Sequence, residues 1–427
     1  MREVASLIQR EERAIVVLSA ISGTTNALQE LANRSSYGAS VNQQIGALHL
    51  HYLEYIEELF NSDDRKEQAK AFILETLQRV ENWCQAPKTL QIEKEILAQG
   101  ELMSTFLFGL LLEEMSIPAC SLPALEVMRL TSDHEPDQTF LETGLQAYLS
   151  NQPEVHCWVT QGYICRNAHG AIDNLQRGGS DYTATLIGAA VGAREIQIWT
   201  DIDGMHNNDP RVVTNTRPVR NVSYREAAEL AYFGAKILHP TCVIPAERRQ
   251  IPLRLKNTFA PQSPGTLISG EGSGRAVAAV AVKHGITAIR IQSDRMLNAY
   301  GFLRRVFSVF ERHQTPIDMI TTSEVSVSLT IDQVHALPLI MDELKTFGRV
   351  EIDTQQSIVC LVGDRIRSSP ATLARTFAAL DEVPIRMVSY GGSQNNISLL
   401  LEQEQADRAL RAIHETLFRE EYRVVLS

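Results

Sequence analysis

The sequence lacks several short motifs by which enzyme and metal-binding classes are recognised. It holds no Walker A phosphate loop, no Gly-x-Ser-x-Gly motif and no cysteine and histidine spacing typical of a zinc site. Its six cysteines are scattered, with no Cys-x-x-Cys pair, so we expect reduced and mostly buried thiols. We therefore expect no resident metal site.

Positive charge and long apolar runs are also scarce. A formal net charge of −11 argues against a general nucleic-acid or membrane surface, although a few local cations and backbone amides suffice to bind phosphate. The apolar stretch Phe106–Leu112 is far too short to span a bilayer. The first twenty residues carry dispersed charges instead of the apolar core of a signal peptide. We expect a cytoplasmic protein without nucleic-acid or membrane partners.

Length and hydrophobic patterning predict an α/β protein of two or three domains. A chain of 427 residues exceeds one ordinary core. Strands are predicted at 14–20, 155–160 and 195–200, and helices at 43–60, 65–84, 101–115 and 180–191. This alternation predicts a mostly parallel sheet sandwiched by helices, in which ligands bind beyond the carboxyl ends of the strands. The first strand is expected to be buried.

An internal repeat follows residues 261–275, whose glycine, proline and serine content makes them the best candidate domain boundary. Three segments recur in order at an offset of 68 to 70 residues. The pairs are Leu303 and Phe307 with Leu373 and Phe377, Pro316–Met319 with Pro384–Met387, and Val327–Leu329 with Ile397–Leu399. Each copy predicts a ferredoxin-like βαββαβ domain. We expect domains at 1–267 and 268–427, the second holding copies at about 285–354 and 355–427.

The segment Arg177–Thr183 is the strongest candidate for anion binding. Its two glycines let the backbone approach a ligand, and Ser180 is a suitable N-cap for the helix that follows. Free amides at the helix start, together with the helix dipole, favour an anion such as phosphate. A tight loop with a capped helix is the structural alternative, and the acidic segment described next favours the functional interpretation.

Trp199–Gly204 ends a predicted strand in two acidic residues and a glycine turn. Carboxylates at that edge of the sheet could hold the magnesium of a nucleotide, or hydrogen-bond its base and ribose. Arg211 can pair with phosphate in a bidentate manner. Lys236, beside apolar Ile237, is interpreted as a partly buried functional lysine rather than a solvated surface charge.

Two further segments offer groups for a carboxylate substrate. Ser19–Asn26 follows the first predicted strand at its carboxyl end and supplies hydroxyl and amide groups. Glu101 stands at a predicted helix start, where a glutamate usually only complements the helix dipole. From the residues alone, that structural role is favoured for Glu101.

Taken in order, these segments resemble aspartate kinase, of the amino-acid kinase superfamily, over nearly the whole chain. The most specific matches are Gly178–Thr183, Trp199–Gly204, Phe233–Pro240 and Thr321–Val327. The resemblance implies the amino-acid kinase fold plus two C-terminal ACT domains. It also implies transfer of the ATP γ-phosphoryl group to the aspartate side chain, with Mg2+ carried by the nucleotide. That reaction opens lysine, threonine and methionine biosynthesis.

The resemblance also assigns roles to individual positions. It implies catalytic roles for Arg177, Asp181 and Lys236. Aspartate is expected to contact Ser19, Thr25, Glu101, Arg177 and Ser180, with Glu101 on the amino group. ATP is expected to contact Thr200, Asp201, His206, Arg211, Lys236 and Ile237. The paired ACT domains are expected to form a homodimer and to bind an amino-acid effector, lysine, through Met296, Phe302, Leu303, Asp318, Ser323 and Glu324.

The sequence departs from the family pattern in three places. The family's opening strand, Lys-Phe-Gly-Gly-Thr/Ser, supplies a phosphate-binding lysine, whereas this sequence starts at Met1 in the helix that would follow. We interpret Met1 as a misplaced start. His206 replaces the usual tyrosine, and Ala299 a common serine of lysine-sensitive members.

Two alternatives stay open at this point. One is another carboxylate kinase of the same superfamily, with acetylglutamate as the nearest rival substrate. The other is an inactive subunit that senses an amino acid and pairs with a complete kinase. The missing strand favours the second alternative, and the retained Arg177, Asp181 and Lys236 argue against it.

Overall fold

The computed structural model describes residues 1–8, 13–34, 41–152, 154–175, 178–234, 238–296 and 300–418. The chain divides into two compact units. The first comprises Met1–Ile202 with Leu238–Ser263, and the second comprises Asp203–Ile237 with Pro264–Ser427. This division follows contacts within the chain rather than family domains, so the predicted domain boundaries stay a prediction.

The helices and strands are numbered in chain order. The helices are α1 (Arg2–Ile8), α2 (Thr24–Arg34), α3 (Asn42–Leu59), α4 (Asp63–Gln85), α5 (Leu90–Glu114), α6 (Ala124–Val127), α7 (Gln138–Asn151), α8 (Gly179–Val191), α9 (Tyr224–Tyr232), α10 (Pro240–Arg249), α11 (Phe302–Arg312), α12 (Leu337–Leu344), α13 (Pro370–Ala379) and α14 (Ala406–Phe418). The strands are β1 (Ala14–Leu18), β2 (Cys120–Ser121), β3 (Cys157–Gln161), β4 (Ile164–Arg166), β5 (Ile172–Asn174), β6 (Ile196–Thr200), β7 (Asn221–Ser223), β8 (Leu253–Asn257), β9 (Thr266–Ser269), β10 (Ala279–Gln292), β11 (Ile320–Thr322), β12 (Ser326–Ile331), β13 (Arg349–Val362), β14 (Met387–Tyr390) and β15 (Asn396–Glu402).

Parallel strands form the centre of the first unit, as the alternating pattern predicts. β3 lies between β1 and β2 and pairs with both in parallel, and β6 pairs in parallel with β8. A short antiparallel hairpin, β4–β5, follows β3 directly. Except for α5, the predicted helices and strands of this unit are confirmed to within two residues. The predicted mostly parallel α/β fold is confirmed.

Strand β1 corrects the prediction of a buried strand. All five of its residues are only half-buried, and the strand ends at Leu18. Within the described part of the chain, β1 pairs with β3 alone, so its other edge carries no strand. Helix α8 packs against both β1 and β6, although these two strands do not pair with each other.

Helix α5 is longer than predicted and forms the core of the first unit. It begins at Leu90 rather than near Glu101, since the Thr89 hydroxyl caps its first turn by accepting the Ile92 N–H at 3.1 Å. By length and composition α5 could cross a membrane, but 78% of its most apolar window is buried inside the protein. Such burial is typical of the core helix of a globular protein.

The second unit contains an intertwined pair of ferredoxin-like domains. Its six-stranded sheet has the order β11-β12-β10-β13-β15-β14. β10 and β13 each span 14 residues and pass through both halves. One half packs Ile289 and Phe302 into its core, and the other packs Val280 and Leu399. The predicted tandem ACT fold is confirmed, and any last strand of the second copy lies outside the described residues.

The same unit also holds the parallel strands β7 and β9. Helix α9 follows β7 in the chain and packs against both strands. β9 lies within residues 261–275, so part of the predicted boundary stretch is a strand rather than a linker. Ser223 caps α9 with a reciprocal capping box, and the buried Glu226 carboxylate also accepts the N–H and hydroxyl of Ser273. This contact fixes the chain that enters the ACT pair.

Candidate active site

The loop after β1 meets the middle of α5 at close range. A Cβ at Gly100 would lie 2.8 Å from the Ala20 Cβ, so only glycine allows this approach. The Ser104 hydroxyl donates to the Ser19 carbonyl oxygen at 2.7 Å. The Ala20 N–H donates to Glu101 Oε1 at 3.3 Å. Ser19 and Glu101, which the sequence analysis assigned to one substrate, therefore lie at one place.

The Glu101 carboxyl of α5 is buried beside this loop. It is 4% exposed, and its Oε2 atom has no hydrogen-bond partner among the described residues. Burial raises the pKa of Glu101 to about 7, and the Ala20 amide opposes that rise. A buried carboxyl with a free oxygen and a pKa near neutrality is suited to bind a cationic group.

The start of α2 lies on the same loop. Thr24 is fully buried, and its hydroxyl shares a hydrogen bond of 3.0 Å with the Tyr52 hydroxyl. Thr25, the predicted substrate contact, is exposed on the first turn of α2. The loop therefore anchors itself through Thr24 and leaves Thr25 available.

The start of α8 corrects one detail of the sequence analysis. The N-cap is Gly178, with φ +83, and α8 begins at Gly179, so the prediction of Ser180 as N-cap is wrong. The left-handed conformation at Gly178 favours glycine, which explains why the cap is not a serine. Gly178 has no side chain that could cap this helix end, so among the described residues its first amides remain for a ligand.

Strand β3 delivers its following loop directly onto this helix start. A Cβ at Gly162 would lie 2.2 Å from Ser180 Oγ. The next residue, Tyr163, donates its N–H to the Thr183 hydroxyl at 2.9 Å. Burial raises the pKa of Asp181, in the first turn of α8, to about 6. The proposed catalytic Asp181 is therefore a partly desolvated carboxyl beside the free amides of α8.

The predicted nucleotide-binding residues fall into both units. In the first unit, Thr200 ends β6 and its hydroxyl donates to Asp201 Oδ1 at 3.0 Å. In the second unit, His206 is held between Asp203 Oδ1 at 2.7 Å and the Thr216 hydroxyl at 2.9 Å. Their nucleotide roles stay predictions.

Arg211 is positioned by its own loop. Its guanidinium pairs with Asp209, with Nη2 at 2.6 Å from Oδ2, and its side chain is 79% exposed. Three other predicted residues, Arg177, Lys236 and Ile237, lie outside the described residues.

The predicted effector residues gather in the first ACT copy. Phe302 is buried at the start of α11, while Met296 and Leu303 pack beside the same core. Ser323 and Glu324 are exposed in the turn between β11 and β12. The Ser323 hydroxyl hydrogen-bonds that of Ser326 at 2.7 Å.

Asp318 is already occupied by a cation of the protein itself. Its side chain is 1% exposed, and its Oδ1 atom lies 2.7 Å from Lys283 Nζ and accepts the Tyr232 hydroxyl at 2.7 Å. Lys283 also contacts Asp332 at 2.9 Å. Burial raises the pKa of Asp318, and Lys283 opposes that rise. The sequence analysis did not foresee this pair.

Two contributors to the site carry no motif in the sequence. Gly162 and Ser104 act through contacts with segments far away in the chain, to Ser180 and Ser19 respectively. The only sequence feature that pointed to Gly162 was its position just after a predicted strand.

Two family models and several known proteins match this chain. The model of the amino acid kinase family matches residues 1–257, and an ACT domain model matches residues 289–337 and 359–417. Aspartokinase 2, chloroplastic, of Arabidopsis thaliana is 34% identical over 98% of this chain and 81% of its own length. Lysine-sensitive aspartokinase 3 of Escherichia coli is 33% identical over 95% of this chain and 92% of its own length.

A solved structure is similar over the same extent. The crystal structure of E. coli aspartokinase III in complex with aspartate and ADP superimposes with a TM-score of 0.85 at 32% identity. The match covers 98% of this chain and 96% of that one.

Proposed function

This chain belongs to the aspartokinase family, and from that premise we propose that it transfers the ATP γ-phosphoryl group to the side-chain carboxylate of aspartate. The product is 4-phospho-L-aspartate, an acyl phosphate. The E. coli relative's crystal structure with aspartate and ADP supports both the acceptor and the nucleotide.

The burial of the Glu101 carboxyl is the single observation that most directly supports aspartate as the acceptor. One of its oxygens has no partner among the described residues, and its pKa of about 7 leaves it substantially ionised at neutral pH. The α-ammonium group of aspartate supplies the missing charge and donors. We assign Glu101 of α5 to that ammonium, with Ser19 on the loop after β1 and Thr25 on the first turn of α2 as hydroxyl partners.

The amino end of α8 is the proposed binding site for negative charge. Its uncapped amides and the helix dipole favour phosphate or carboxylate oxygens. Phosphoryl transfer requires little covalent help from the protein, so alignment and charge neutralisation account for most of the catalysis. Arg177 and Lys236 are proposed as the cations of this step on the basis of the family resemblance.

Thr200, Asp201, His206, Arg211, Lys236 and Ile237 are proposed as contacts to ATP. In the described part of the chain, no three His, Cys, Asp or Glu side chains form a group that would hold a metal ion. We propose that Mg2+ arrives with the nucleotide, whose phosphate charge it would neutralise.

The ACT pair supports regulation by an amino acid. The E. coli relative is named lysine-sensitive, and we propose lysine as the effector, bound through the Asp318 carboxylate and the residues around it. Small sandwiches with open edge strands also pair readily, so we propose a homodimer through the ACT domains. We propose a cytoplasmic location.

Hydroxylamine trapping tests the reaction. The chain is incubated with ATP, Mg2+ and aspartate, with and without lysine, and aspartyl hydroxamate is measured. Formation of hydroxamate, inhibited by lysine, supports the full proposal. Acetylglutamate in place of aspartate tests the rival kinase. No turnover, even after the family's Lys-Phe-Gly-Gly-Thr strand is appended, would leave the amino-acid sensor as the better function.

A further inference from the structure

A buried ion pair joins α5 to the β4–β5 hairpin. Lys94 Nζ lies 2.6 Å from Asp173 Oδ1, and the two side chains are 13% and 2% exposed. The same Asp173 oxygen accepts the Asn174 N–H at 2.7 Å. Gln91, nearly one turn before Lys94, donates its side-chain N–H to the Ile172 carbonyl oxygen at 3.2 Å. Strand β5 is therefore fastened to α5 at two successive residues.

Stability alone is a weak explanation for such a pair. Desolvation of two charges offsets their attraction, and an apolar pair of similar volume often stabilises a core as well. What the ion pair adds is a defined distance between two elements. α5 carries Glu101 about 10 Å beyond Lys94, at 1.5 Å per residue. β5 leads, shortly after Asp173, to Gly178 at the start of α8.

Tyr163 links these parts of the first unit. It is a non-glycine residue in the left-handed region, with φ +64, which is a strained conformation. Its N–H donates to Thr183 on α8, and its carbonyl oxygen accepts the Leu175 N–H at 2.8 Å, just after β5. The pKa of its phenol is raised to about 12, first by burial and then by the charges of Glu101 and Asp173.

We propose that the Lys94–Asp173 pair positions the two ends of the aspartate site, an inference that rests on the proposed function. By holding the hairpin against α5, the pair fixes the distance between Glu101 and the amino end of α8. These two groups are assigned to the ammonium end and the anionic end of one substrate. Their separation therefore selects the length of the amino dicarboxylate. Lys94 and Asp173 are positioning residues, because they act through the hairpin rather than on the substrate.

Substitutions of both partners in the full chain test the proposal. Lys94→Met, Asp173→Asn and the double variant are titrated by calorimetry with aspartate, glutamate and ATP. Each single change is expected to raise the dissociation constant of aspartate about tenfold or more, since small misplacements are costly in such sites. The double variant should be no worse than the poorer single variant, because both act through one contact.

Selectivity gives a readout that a merely structural role would not move. The preference for aspartate over glutamate should fall about fivefold or more, while ATP affinity stays within about twofold. Lys94→Arg keeps the charge and should restore aspartate affinity to within about threefold of wild type. Lys88→Met is the matched control, since Lys88 lies just before α5 and its nearest carboxylate, Glu93, is 4.0 Å away.

The possible failures are distinguishable. Variants that bind aspartate like wild type would overturn the positioning role. Equal losses of aspartate and ATP affinity, with a lower melting temperature, would mark the pair as structural and also overturn it. A wild-type chain that binds no aspartate would instead overturn the proposed function itself.

Discussion

Replacing Glu101 by glutamine tests the proposed ammonium site most directly. The change keeps the size of the side chain and removes its charge. Removing one partner of a buried charged hydrogen-bond pair costs about 2–5 kcal/mol, so kcat/KM for aspartate should fall at least ~30-fold. The KM for ATP should change little, because Glu101 lies on α5 facing the loop assigned to the acceptor.

The pH dependence of the wild-type chain gives a second, independent measure. Only ionised Glu101 attracts an ammonium group, and its pKa is about 7. With one titrating group at that pKa, kcat/KM for aspartate should rise about tenfold between pH 6 and pH 8. Glu101→Gln should abolish this rise. Glu113→Gln is the control, since Glu113 lies on the same helix with its side chain 60% exposed.

Ionisation of Glu101 should lower the stability of the fold, whereas it should raise kcat/KM for aspartate. Burial raises the pKa of Glu101 from 4.5 to about 7, so the folded chain holds this proton more tightly than the unfolded chain. The contribution to stability is full below pH 4.5 and is lost as pH rises towards 7, a change of about 3 kcal/mol. Glu101→Gln should therefore raise the melting temperature at pH 8 relative to wild type, with little effect at pH 4.

Scanning calorimetry and initial rates on the same samples complete the test. A flat profile of kcat/KM from pH 6 to pH 8 would show that Glu101 is not the titrating group. A Glu101→Gln variant whose kcat/KM still rises between pH 6 and pH 8 as in the wild type would show the same. An equal loss of aspartate and ATP affinity would show that the variant disturbs the fold rather than the ammonium site.

Two further outcomes are expected. Gly162→Ala forces a Cβ to within 2.2 Å of Ser180 Oγ and should lower kcat/KM about 100-fold. Gly46→Ala, whose Cβ would meet no atom within 4 Å, should leave kcat/KM unchanged. Rate measurements on both variants test this expectation. Lys283→Met leaves the buried Asp318 without its ammonium partner and should cost about 3–5 kcal/mol at neutral pH by urea unfolding; unchanged stability would contradict this.

The sequence predicted helices and strands well where apolar residues recur at a regular spacing along a segment. Helices α3 and α4 and strands β3 and β6 were predicted to within two residues. The start of α5 was not, because Gly100 before Glu101 reads as a helix boundary. In the structure Gly100 lies inside α5, where its missing Cβ admits Ala20. Local pattern does not distinguish a glycine that ends a helix from one that permits close packing.

Burial was harder to predict than secondary structure. The β-branched run of β1 correctly indicated a strand, but full burial requires neighbours on both sides. β1 has a partner strand only in β3 within the described chain, so its residues stay half-exposed. The number of neighbours is a property of the assembled sheet, which a single segment does not encode.

Some residues of the site were predicted from the sequence and others were not. Ser19 and Glu101 were predicted to contact one substrate, and the structure brings them together, although their roles stay predictions. The Lys94–Asp173 pair was not identified, because its partners are 79 positions apart and neither belongs to a motif.

Asp318 shows why such long-range contacts matter for function. The resemblance assigned its carboxylate to an ammonium group of an effector, and the structure places an ammonium group there, that of Lys283. The Oδ2 atom has no hydrogen-bond partner among the described residues, whereas Oδ1 is taken by Lys283 and Tyr232. An effector ammonium must therefore either use Oδ2 or displace Lys283. The effector role of Asp318 stays a prediction, and only the fold shows that the protein supplies a competing cation there.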